Sequence, residues 1–405
     1  MSKKIVLITT GQPSCNPRIV KEADALHTAG YDVTLVYCFF INWASETDNI
    51  LLDKVSWKYQ MVGGSPKKNK MLYFFTRVKF KIANLLSPFF GNYFSLFERA
   101  QARCFDEMLD AAKKLKADWY IGHNLGALSI AVRAATYRGA KAGFDFEDYY
   151  TGENTFSASK ILKRIHNLEN KYIYLLSYYS AASDLIKDAV QRDHPSFEGQ
   201  IITLNNSFPV GQQPPILHQK KESDKTLQLF WFSQTVGNNR GLKQVIESIK
   251  CLNNPLVHLT LAGNCKPKMR SFMLAQLSEL KDNIHFVGII QPEDLPSYSS
   301  KFDIGLALEP GFSQNNDIAL SNKIFTYLLG GNAIIMSKTS MQLTFNQQYH
   351  VGESIDINNI KELAKKINGY FDFKKLNEQK KHNYDLAKYQ LNWNVESKKL
   401  LSIFN

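Results

Sequence analysis

The first indication of chemistry is a basic residue at a helix start within residues 309–337, EPGFSQNNDIALSNKIFTYLLGGNAIIMS. Ser321 and Asn322 can cap a helix that carries Lys323 in its first turn, after a polar loop that contains glycine. The unpaired backbone N–H groups of a helix start and a lysine ammonium both attract phosphate oxygens. The stretch therefore indicates a diphosphate site, although an ordinary loop and helix can have the same residues.

A second helix start carries Arg240. Residues 232–249, FSQTVGNNRGLKQVIESI, have the pattern of a strand, a loop that contains Gly237, and a helix. An arginine at such a position favours phosphate binding, because the positive end of the helix dipole adds to its charge. The signal is weaker than that around Lys323, since surface arginines at helix starts are common.

Carboxylates cluster after another apolar run, in FDFEDYYTGE at residues 144–153. Asp145, Glu147 and Asp148 stand within four positions of one another. Carboxylates that face a cleft can accept protons from a substrate. The same residue types also cap helices and turns, so both interpretations stay open.

The elements that must position these residues alternate between short apolar runs and helical patterns. A proline-rich, charged stretch, PVGQQPPILHQKKESDK, separates two such series and is typical of a linker. We therefore predict an α/β protein with two Rossmann-like doubly wound domains that face a central cleft, and ligands at the carboxyl ends of the strands. The predicted strands are residues 4–10, 32–38, 118–124, 141–147, 177–183, 200–206, 227–234, 256–264, 284–288, 303–309 and 332–337. The predicted domains are 1–208, a linker at 209–226, 227–385, and a closing helix at 386–405 that returns to the first domain.

The first strand–helix turn lacks a phosphate-binding fingerprint. A dinucleotide fold would carry G-x-G-x-x-G here, but only Gly11 is present. Asn16 is a good N-cap and Pro17 suits the first helical turn. The helix start at Asn16–Arg18 can receive an anion or simply pack on the strand. A nicotinamide oxidoreductase is disfavoured, because neither half of the chain has the fingerprint.

Composition restricts the environment and the partners. The 405 residues carry a formal net charge of +12, which favours anionic partners. The five cysteines are scattered and lack C-x-x-C spacing, so we expect reduced thiols and no metal site. No apolar run is long enough to span a membrane, and the N-terminus has no signal-peptide pattern, so we expect a cytoplasmic protein.

One segment has an unusual composition. Lys54–Arg99 holds nine lysines and arginines against one acid, Glu98, and residues 73–97 carry nine aromatic side chains. Such a segment suits an anionic membrane surface, which we expect residues 67–97 to contact. A core helix pair or single-stranded nucleic acid could also use these residues, but the chain has no recognisable nucleic-acid motif and we expect no such partner.

Four stretches, in order along nearly the whole chain, resemble glycosyltransferase family 4, which has the GT-B fold. SNKIFTYLLGGNAIIMS is similar to that family's P-N-K-x-F-E-Y-L-x-x-G-x-P-V-I stretch, and SQTVGNNRGL is similar to its donor-phosphate loop. NPRIVKEADALHTAGYDVTLV resembles its N-terminal helix and second strand, and IHFVGIIQPEDLPSYSSKFDIGLAL resembles the stretch before its sugar-binding loop.

The resemblance implies a role for each matching position. Arg240 and Lys323 match residues on the donor phosphates, the backbone of Val287 and Gly288 lies where the base is held, and His123 matches a histidine that reaches the donor sugar. Two departures weaken donor binding: Thr326 stands where an acid clamps the ribose, and Gln234 stands where a loop arginine is common.

The donor set implied is Gln234, Gly237, Arg240, Val287, Gly288, Glu309, Asn315, Asn316, Asp317, Ser321, Asn322, Lys323 and Thr326, with His123, Arg240, Lys323 and Glu309 closest to the reaction. The acceptor set is Gly11, Asn16, Arg18, Asp145, Glu147 and Asp148, where the family often has D-x-H-E and Glu147 replaces the histidine.

The activity implied is retaining transfer of a hexose-type sugar from a nucleoside diphosphate sugar to a glycan or lipid-linked acceptor. The reaction would serve polysaccharide or glycan assembly at the inner face of a membrane, with no metal ion and no cofactor. The alternative is a GT-B protein with weak or no transfer that binds a sugar nucleotide or glycan as an assembly partner.

Overall fold

The computed structural model describes residues 2–153, 159–237 and 240–404. The chain divides into two compact units. Unit 1 comprises Met1–Leu204 together with Ser397–Asn405, and unit 2 comprises Asn205–Glu396. The predicted domain boundaries at 208 and 385 stay predictions, and the last residues of the chain belong to unit 1.

Unit 1 is built on a seven-stranded parallel sheet in the order β3-β2-β1-β4-β5-β6-β7. Its central strands are rich in β-branched and aromatic residues and are almost fully buried, as expected for a sheet covered on both faces. The strands are β1 Lys4–Thr9, β2 Asp32–Cys38, β3 Lys58–Val62, β4 Trp119–His123, β5 Lys141–Phe146, β6 Tyr178–Ala181 and β7 Gln200–Thr203. The helices are α1 Pro17–Thr28, α2 Ala44–Leu52, α3 Lys70–Phe90, α4 Leu96–Gln101, α5 Phe105–Lys114, α6 Leu125–Arg138, α7 Ser159–Tyr172 and α8 Asp184–Asp193.

Unit 2 has a six-stranded parallel sheet in the order β10-β9-β8-β11-β12-β13. A continuous apolar core lies between this sheet and its helices and includes Trp231, which is fully buried. The strands are β8 Leu227–Val236, β9 Val257–Cys265, β10 Ile284–Val287, β11 Ile304–Ala307, β12 Ala333–Ser337 and β13 Gly352–Ile355. The helices are α9 Leu242–Leu252, α10 Pro267–Ala275, α11 Leu295–Ser299, α12 Gln314–Ile318, α13 Asn322–Gly330, α14 Ser340–Tyr349, α15 Ile360–Gly369 and α16 Phe373–Tyr389; a final helix, α17 Trp393–Leu401, begins in unit 2 and ends in unit 1.

Phe404 anchors the end of the chain in unit 1. Its ring packs edge-on against Tyr31, Trp119 and Tyr178, with ring centroids 5.1–5.9 Å apart. Aromatic pairs at such distances add stability beyond the area that they bury. The C-terminal segment is therefore part of the core of unit 1.

The two alternating βα series that the sequence predicts are confirmed, and both sheets are parallel throughout. Helix boundaries follow the predicted signals at two important points. The Asn16 side chain accepts a hydrogen bond from the Ile19 amide at the start of α1. α13 ends at Gly330, with Gly331 in the left-handed conformation. In the described part of the chain, no helix is both long and apolar enough to cross a membrane.

Candidate active-site residues

An ion pair at the carboxyl end of β11 joins two residues that the sequence predicts for the donor site. Glu309 lies two residues beyond β11, and its Oε1 accepts hydrogen bonds from Lys323 Nζ at 2.7 Å and from Ser321 Oγ at 2.9 Å. Both charged side chains are largely buried, with 18% of Glu309 and 11% of Lys323 exposed. Burial opposes ionisation of Glu309, but Lys323, Ser321 and Arg240 outweigh it, so the pKa of this carboxyl lies below its ordinary value.

The partner of Ser321 differs from the predicted one. Ser321 is the N-cap residue of α13, but its side chain makes no capping bond to the helix and binds Glu309 instead. Asn322 is the first residue of α13, and Lys323 is in its first turn as predicted. The start of α13 therefore keeps its amide groups free of a side-chain cap, beside a lysine fixed by a carboxylate.

Arg240 lies close to this ion pair because of Gly241. Gly241 has a positive φ of +75°, and a Cβ at this position would come within 2.8 Å of the Leu308 Cβ. Gly241, the residue directly before α9, is thus packed against the residue that precedes Glu309. The Arg240 side chain is exposed, and its charge contributes to the lowered pKa of Glu309. The two predicted cations therefore lie at the same end of the sheet of unit 2.

Two predicted sugar-binding residues take part in the structure of their own loop. Asn316 Oδ1 accepts a hydrogen bond from the Gly311 amide at 2.6 Å, and Asp317 Oδ1 accepts one from the Ser340 amide at 2.9 Å. Asn315 lies in the same short helix, α12. The side-chain oxygens of Asn316 and Asp317 thus fix the loop between β11 and α13, and their role toward a sugar stays a prediction.

Thr326 lies one turn after Lys323 in α13, whose residues from Ile324 to Gly330 are all buried. It is fully buried, and its Oγ1 has no hydrogen-bond partner within the described residues. A buried hydroxyl without a hydrogen bond to the protein contributes nothing to offset its desolvation. Gln234 differs from its predicted place, because β8 continues to Val236 and Gln234 is an exposed residue inside that strand.

The predicted base-binding backbone lies at the end of β10. Val287 is the last residue of that strand, and the Gly288 carbonyl accepts a hydrogen bond from the Gly263 amide of β9 at 3.1 Å. Gly237 directly follows β8. These positions share the carboxyl end of the unit 2 sheet, where parallel α/β sheets bind ligands.

In unit 1, His123 is enclosed by carboxylates at the end of β4. It is fully buried; Nε2 lies 2.9 Å from Glu22 Oε2, and Nδ1 lies 3.0 Å from Glu147 Oε1. Burial opposes the charged imidazole, but the charge of Glu22 and the hydrogen bonds to Glu147 and Glu22 outweigh it. They raise the pKa of His123 to about 10. The imidazole is therefore protonated at neutral pH and donates from both nitrogens.

Arg18 and Asp145 do not occupy the ligand-facing positions predicted for an acceptor site. Both are buried, and Arg18 Nη2 donates to Asp145 Oδ1 at 2.7 Å in a pair that also uses Arg18 Nε. Arg18 further donates to the Leu204 carbonyl, and Asp145 accepts from Ser180. The opposite charges satisfy one another inside the unit, which is the usual state of buried ionic groups.

Glu147, in the acidic cluster, combines a charged partner with access to solvent. Its side chain is 21% exposed, and its Oε1 accepts from both His123 and the Asn16 amide group. Asp148 follows it and is partly exposed. Gly11 lies beyond β1 with open space where a Cβ would stand, apart from Thr9 Oγ1 at 3.8 Å. An acceptor-binding role stays a prediction for four residues: Gly11, Asn16, Glu147 and Asp148.

Glu22 is a site residue that sequence reasoning missed. It is fully buried, although a glutamate in a helix normally faces water. The available signal was its position on the apolar face of α1, three residues after Ile19 and four before Leu26. A charge on that face needs a buried partner, which is His123.

Glu22, His123 and Asp145 offer ligand atoms within 4.8 Å of one another, a spacing that could hold a metal ion. Their bonding argues for another role. A metal-bound histidine must be neutral, but this imidazole donates to two carboxylates, and Asp145 is already neutralised by Arg18. With Arg18 and Glu147 these residues form a charge network, and the absence of a metal ion from it stays a prediction.

Known sequences and structures were compared with the chain. No family profile and no curated protein sequence matches it. Among solved structures, it is similar to HepE of Anabaena in complex with UDP and glucose, with 15% identity, a TM-score of 0.68 and 99% of each chain covered. It is also similar to a glycosyltransferase of Rickettsia africae, with 12% identity, a TM-score of 0.70, and 100% and 98% of the two chains covered.

A third similar structure is sucrose-phosphate synthase of Thermosynechococcus elongatus, with 13% identity, a TM-score of 0.68, and 99% and 98% of the chains covered. At these identities the likeness concerns the fold. Together with the two parallel sheets, it shows that the chain has the GT-B fold, with two Rossmann-like units.

Proposed function

We propose that this protein is a retaining glycosyltransferase of the family 4 type that moves a hexose from a nucleoside diphosphate sugar to a glycan or lipid-linked acceptor. The observation that carries the proposal is the group formed by Glu309, Lys323 and Arg240 at one end of the unit 2 sheet. Two cations at this end of the sheet, one of them in the first turn of a helix without a side-chain cap, suit a diphosphate, and the carboxylate paired with Lys323 suits sugar hydroxyls. The GT-B fold and the four resembling stretches agree with this function.

The chemistry would consist of charge stabilisation. As the bond between the sugar and the diphosphate breaks, negative charge grows on the phosphate oxygens, and Lys323 and Arg240 would stabilise it. Lys323 has three N–H donors and uses one for Glu309, so others are left for phosphate. An oxygen of the departing diphosphate would take the proton of the acceptor hydroxyl on the same face of the sugar. This route needs neither a metal ion nor a cofactor.

Unit 1 would bind the acceptor. Glu147 is held by the charged His123 and by Asn16, so it presents an oriented, partly exposed carboxylate that can accept a hydrogen bond from a sugar hydroxyl. His123 itself is enclosed and would act by holding Glu147, not by contacting the donor sugar. We place the reaction in polysaccharide or glycan assembly at the cytoplasmic face of a membrane.

A second candidate function is favoured by one observation. Thr326 replaces the acid that the family uses on the ribose, and its hydroxyl is buried without a partner. A protein with this change could bind a sugar nucleotide, or a glycan, weakly and serve as a partner in assembly, with little or no transfer.

Calorimetry with UDP, GDP and ADP tests the donor site, and UDP is the first choice because it is bound in the HepE structure. We expect one nucleotide to bind, and Lys323→Ala to weaken it, whereas Lys361→Ala on the exposed face of α15 serves as the matched control. Release of free nucleotide from the corresponding sugar nucleotide, with and without glycan acceptors, then separates the two candidates. Binding without turnover supports the second candidate. No binding of any of these nucleotides contradicts the first candidate and leaves only the glycan-binding form of the second.

A further inference from the structure

Helix α3 presents its large apolar side chains to the outside of unit 1. Those most exposed include Phe89 at 76%, Met71 at 72% and Leu85 at 68%. They recur every third or fourth residue, so they form one stripe along the whole helix. This stripe, called the α3 apolar stripe below, consists of Met71, Phe74, Phe75, Val78, Ile82, Leu85 and Phe89.

On the opposite face of α3, which packs on unit 1, the buried residues are small. Thr76, Ala83 and Ser87 are the buried residues of the helix, and Ala83 packs against Leu96 and Ala100 of α4. An ordinary surface helix has the reverse arrangement, with its large apolar residues toward the core. Exposure of apolar side chains to water is energetically unfavourable. The size and continuity of the stripe therefore indicate that lipid or another molecule covers it.

The stripe continues into the turn after α3. Tyr93 and Phe94 are 73% and 83% exposed, and Phe94 has a left-handed backbone with φ of 53°. A bulky residue rarely adopts this conformation, and here it holds the ring away from the core. The ring of Phe89 also lies 5.8 Å from the Lys160 ammonium of α7, so the apolar end of the stripe borders a basic residue.

Basic side chains line one edge of the stripe. Lys70, Arg77 and Lys81 are exposed on the same side of α3, and none of them pairs with a carboxylate anywhere in the described ranges. On the other edge, Lys79 is already neutralised by Asp106 and Glu107 of α5. The unpaired edge therefore has a net positive charge directly beside an apolar surface.

We propose that α3 lies in the plane of an anionic lipid bilayer, with the α3 apolar stripe, Tyr93 and Phe94 among the lipid chains and Lys70, Arg77 and Lys81 on the headgroups. This combination of one apolar face and an unpaired basic edge is what binds a helix to such a surface. The inference deepens the proposed function by naming the surface at which the protein works, but the residues that carry it are separate from the nucleotide site.

A second copy of this chain is the main competing occupant, since the positions of Met71, Phe75, Val78, Ile82, Leu85 and Phe89 also fit helix pairing. Charge argues against it. In an antiparallel pair the basic edges would face one another, and α3 has no carboxylate to compensate them. A bilayer with anionic headgroups removes this repulsion, whereas a second copy creates it.

Flotation of the full-length protein with vesicles tests the proposal. We expect binding to vesicles of phosphatidylcholine mixed with phosphatidylglycerol, weaker binding at raised salt, and little binding to phosphatidylcholine alone. The variant Leu85→Ser/Phe89→Ser should lower the partition coefficient at least about tenfold, because it removes two apolar side chains from the stripe. The variant Arg77→Glu/Lys81→Glu should lower it at least about twenty-five-fold, because each basic residue near the surface contributes about a factor of five.

Matched controls lie in unit 2. Ile216→Ser/Phe272→Ser removes two apolar side chains that are 69% and 56% exposed, and Lys361→Glu/Lys365→Glu reverses two exposed charges. Both should bind vesicles like the original protein. Melting temperature and nucleotide affinity should be unchanged in all four variants, which separates loss of membrane binding from misfolding and from failure of the proposed function.

The proposal is overturned if the original protein ignores anionic vesicles, if it binds neutral and anionic vesicles equally, or if the α3 variants bind like their controls. It is also overturned if sedimentation shows a stable dimer that Leu85→Ser/Phe89→Ser converts to monomer, since the stripe would then be an interface between copies.

Discussion

We predict that the stability of unit 1 depends on pH, because His123 is protonated in the folded state. The group has an ordinary pKa of 6.5 and a pKa of about 10 in the folded protein. A raised pKa means that the folded state holds the proton more tightly than the unfolded chain. The stabilisation is therefore complete below pH 6.5, declines between pH 6.5 and about 10, and is absent above that range.

At 1.36 kcal/mol per pKa unit, a shift from 6.5 to about 10 corresponds to about 5 kcal/mol of stability for unit 1 at the acid end of this window. This is a large fraction of the free energy of unfolding of a whole domain, which is typically about 5–15 kcal/mol. Replacing the imidazole by a neutral amide, as in His123→Gln, removes the contribution. It also leaves Glu22 and Glu147 without the charge between them.

Hydrogen–deuterium exchange of the peptides that cover α1 and β4 measures the opening of unit 1 alone. We expect His123→Gln to lower the protection at pH 6 and the difference from the original protein to shrink toward pH 10. His218→Gln, at an exposed position in unit 2, should match the original protein throughout. In a sample with ¹³C-labelled histidine, the one resonance that His123→Gln removes should titrate far above pH 7. A resonance that titrates near 6.5, or parallel pH profiles of protection, would refute the assignment of a buried imidazolium.

Further substitutions test other parts of the structure. Lys323→Ala should weaken binding of the preferred nucleotide by about 1.5–3 kcal/mol in calorimetry, the usual value of a charged hydrogen bond. Gly241→Ala should lower the melting temperature of unit 2, because its φ of +75° is unfavourable for alanine and the new Cβ would come within 2.8 Å of Leu308; an unchanged melting temperature contradicts this contact. Thr326→Val should keep or raise stability in urea unfolding, since it removes a buried hydroxyl without a partner, and a loss above about 1 kcal/mol would mean that the hydroxyl is bonded. Phe404→Ala should destabilise unit 1 by about 3–5 kcal/mol in the same assay, and a neutral result would mean that the C-terminal segment is detached.

The central strands could be predicted because burial on both faces leaves continuous apolar runs in the sequence. β2, for example, has the predicted bounds, Asp32–Cys38. Of the four edge strands, β7 and β10 were predicted from their apolar runs. β3 and β13 were not, since an edge strand can bury little of each side chain and then tolerates polar residues. Helix capping was predictable at Asn16, where one side chain and one amide suffice.

The pairing of site residues was harder to predict than their identity. Lys323 and Glu309 were both candidates, but their contact depends on the path of a loop of more than ten residues, which leaves no periodic signal. The orientation of α3 was not predictable either, because large apolar residues occur on more than one side of the helix and the pattern gives no single preferred buried face. The structure resolves this ambiguity through the small residues Ala83 and Ser87, which allow close packing on unit 1.

The discontinuity of unit 1 gives the two units a shared folding equilibrium. The crossing points of the chain are adjacent, since the Asn205 amide donates to Glu396 Oε2 at 2.8 Å. When unit 2 is folded, the start of residues 397–404 is therefore held close to Leu204, and both segments belong to unit 1. If residues 205–396 were unfolded, closing a loop of that length before Phe404 could dock would cost about 5 kcal/mol of chain entropy. We therefore expect melting of unit 2 to loosen unit 1 through the chain connection, and unit 1 cannot be isolated by a single truncation. A stable fragment would need residues 397–404 joined to Leu204 through a short linker, as in a protein with an inserted domain removed.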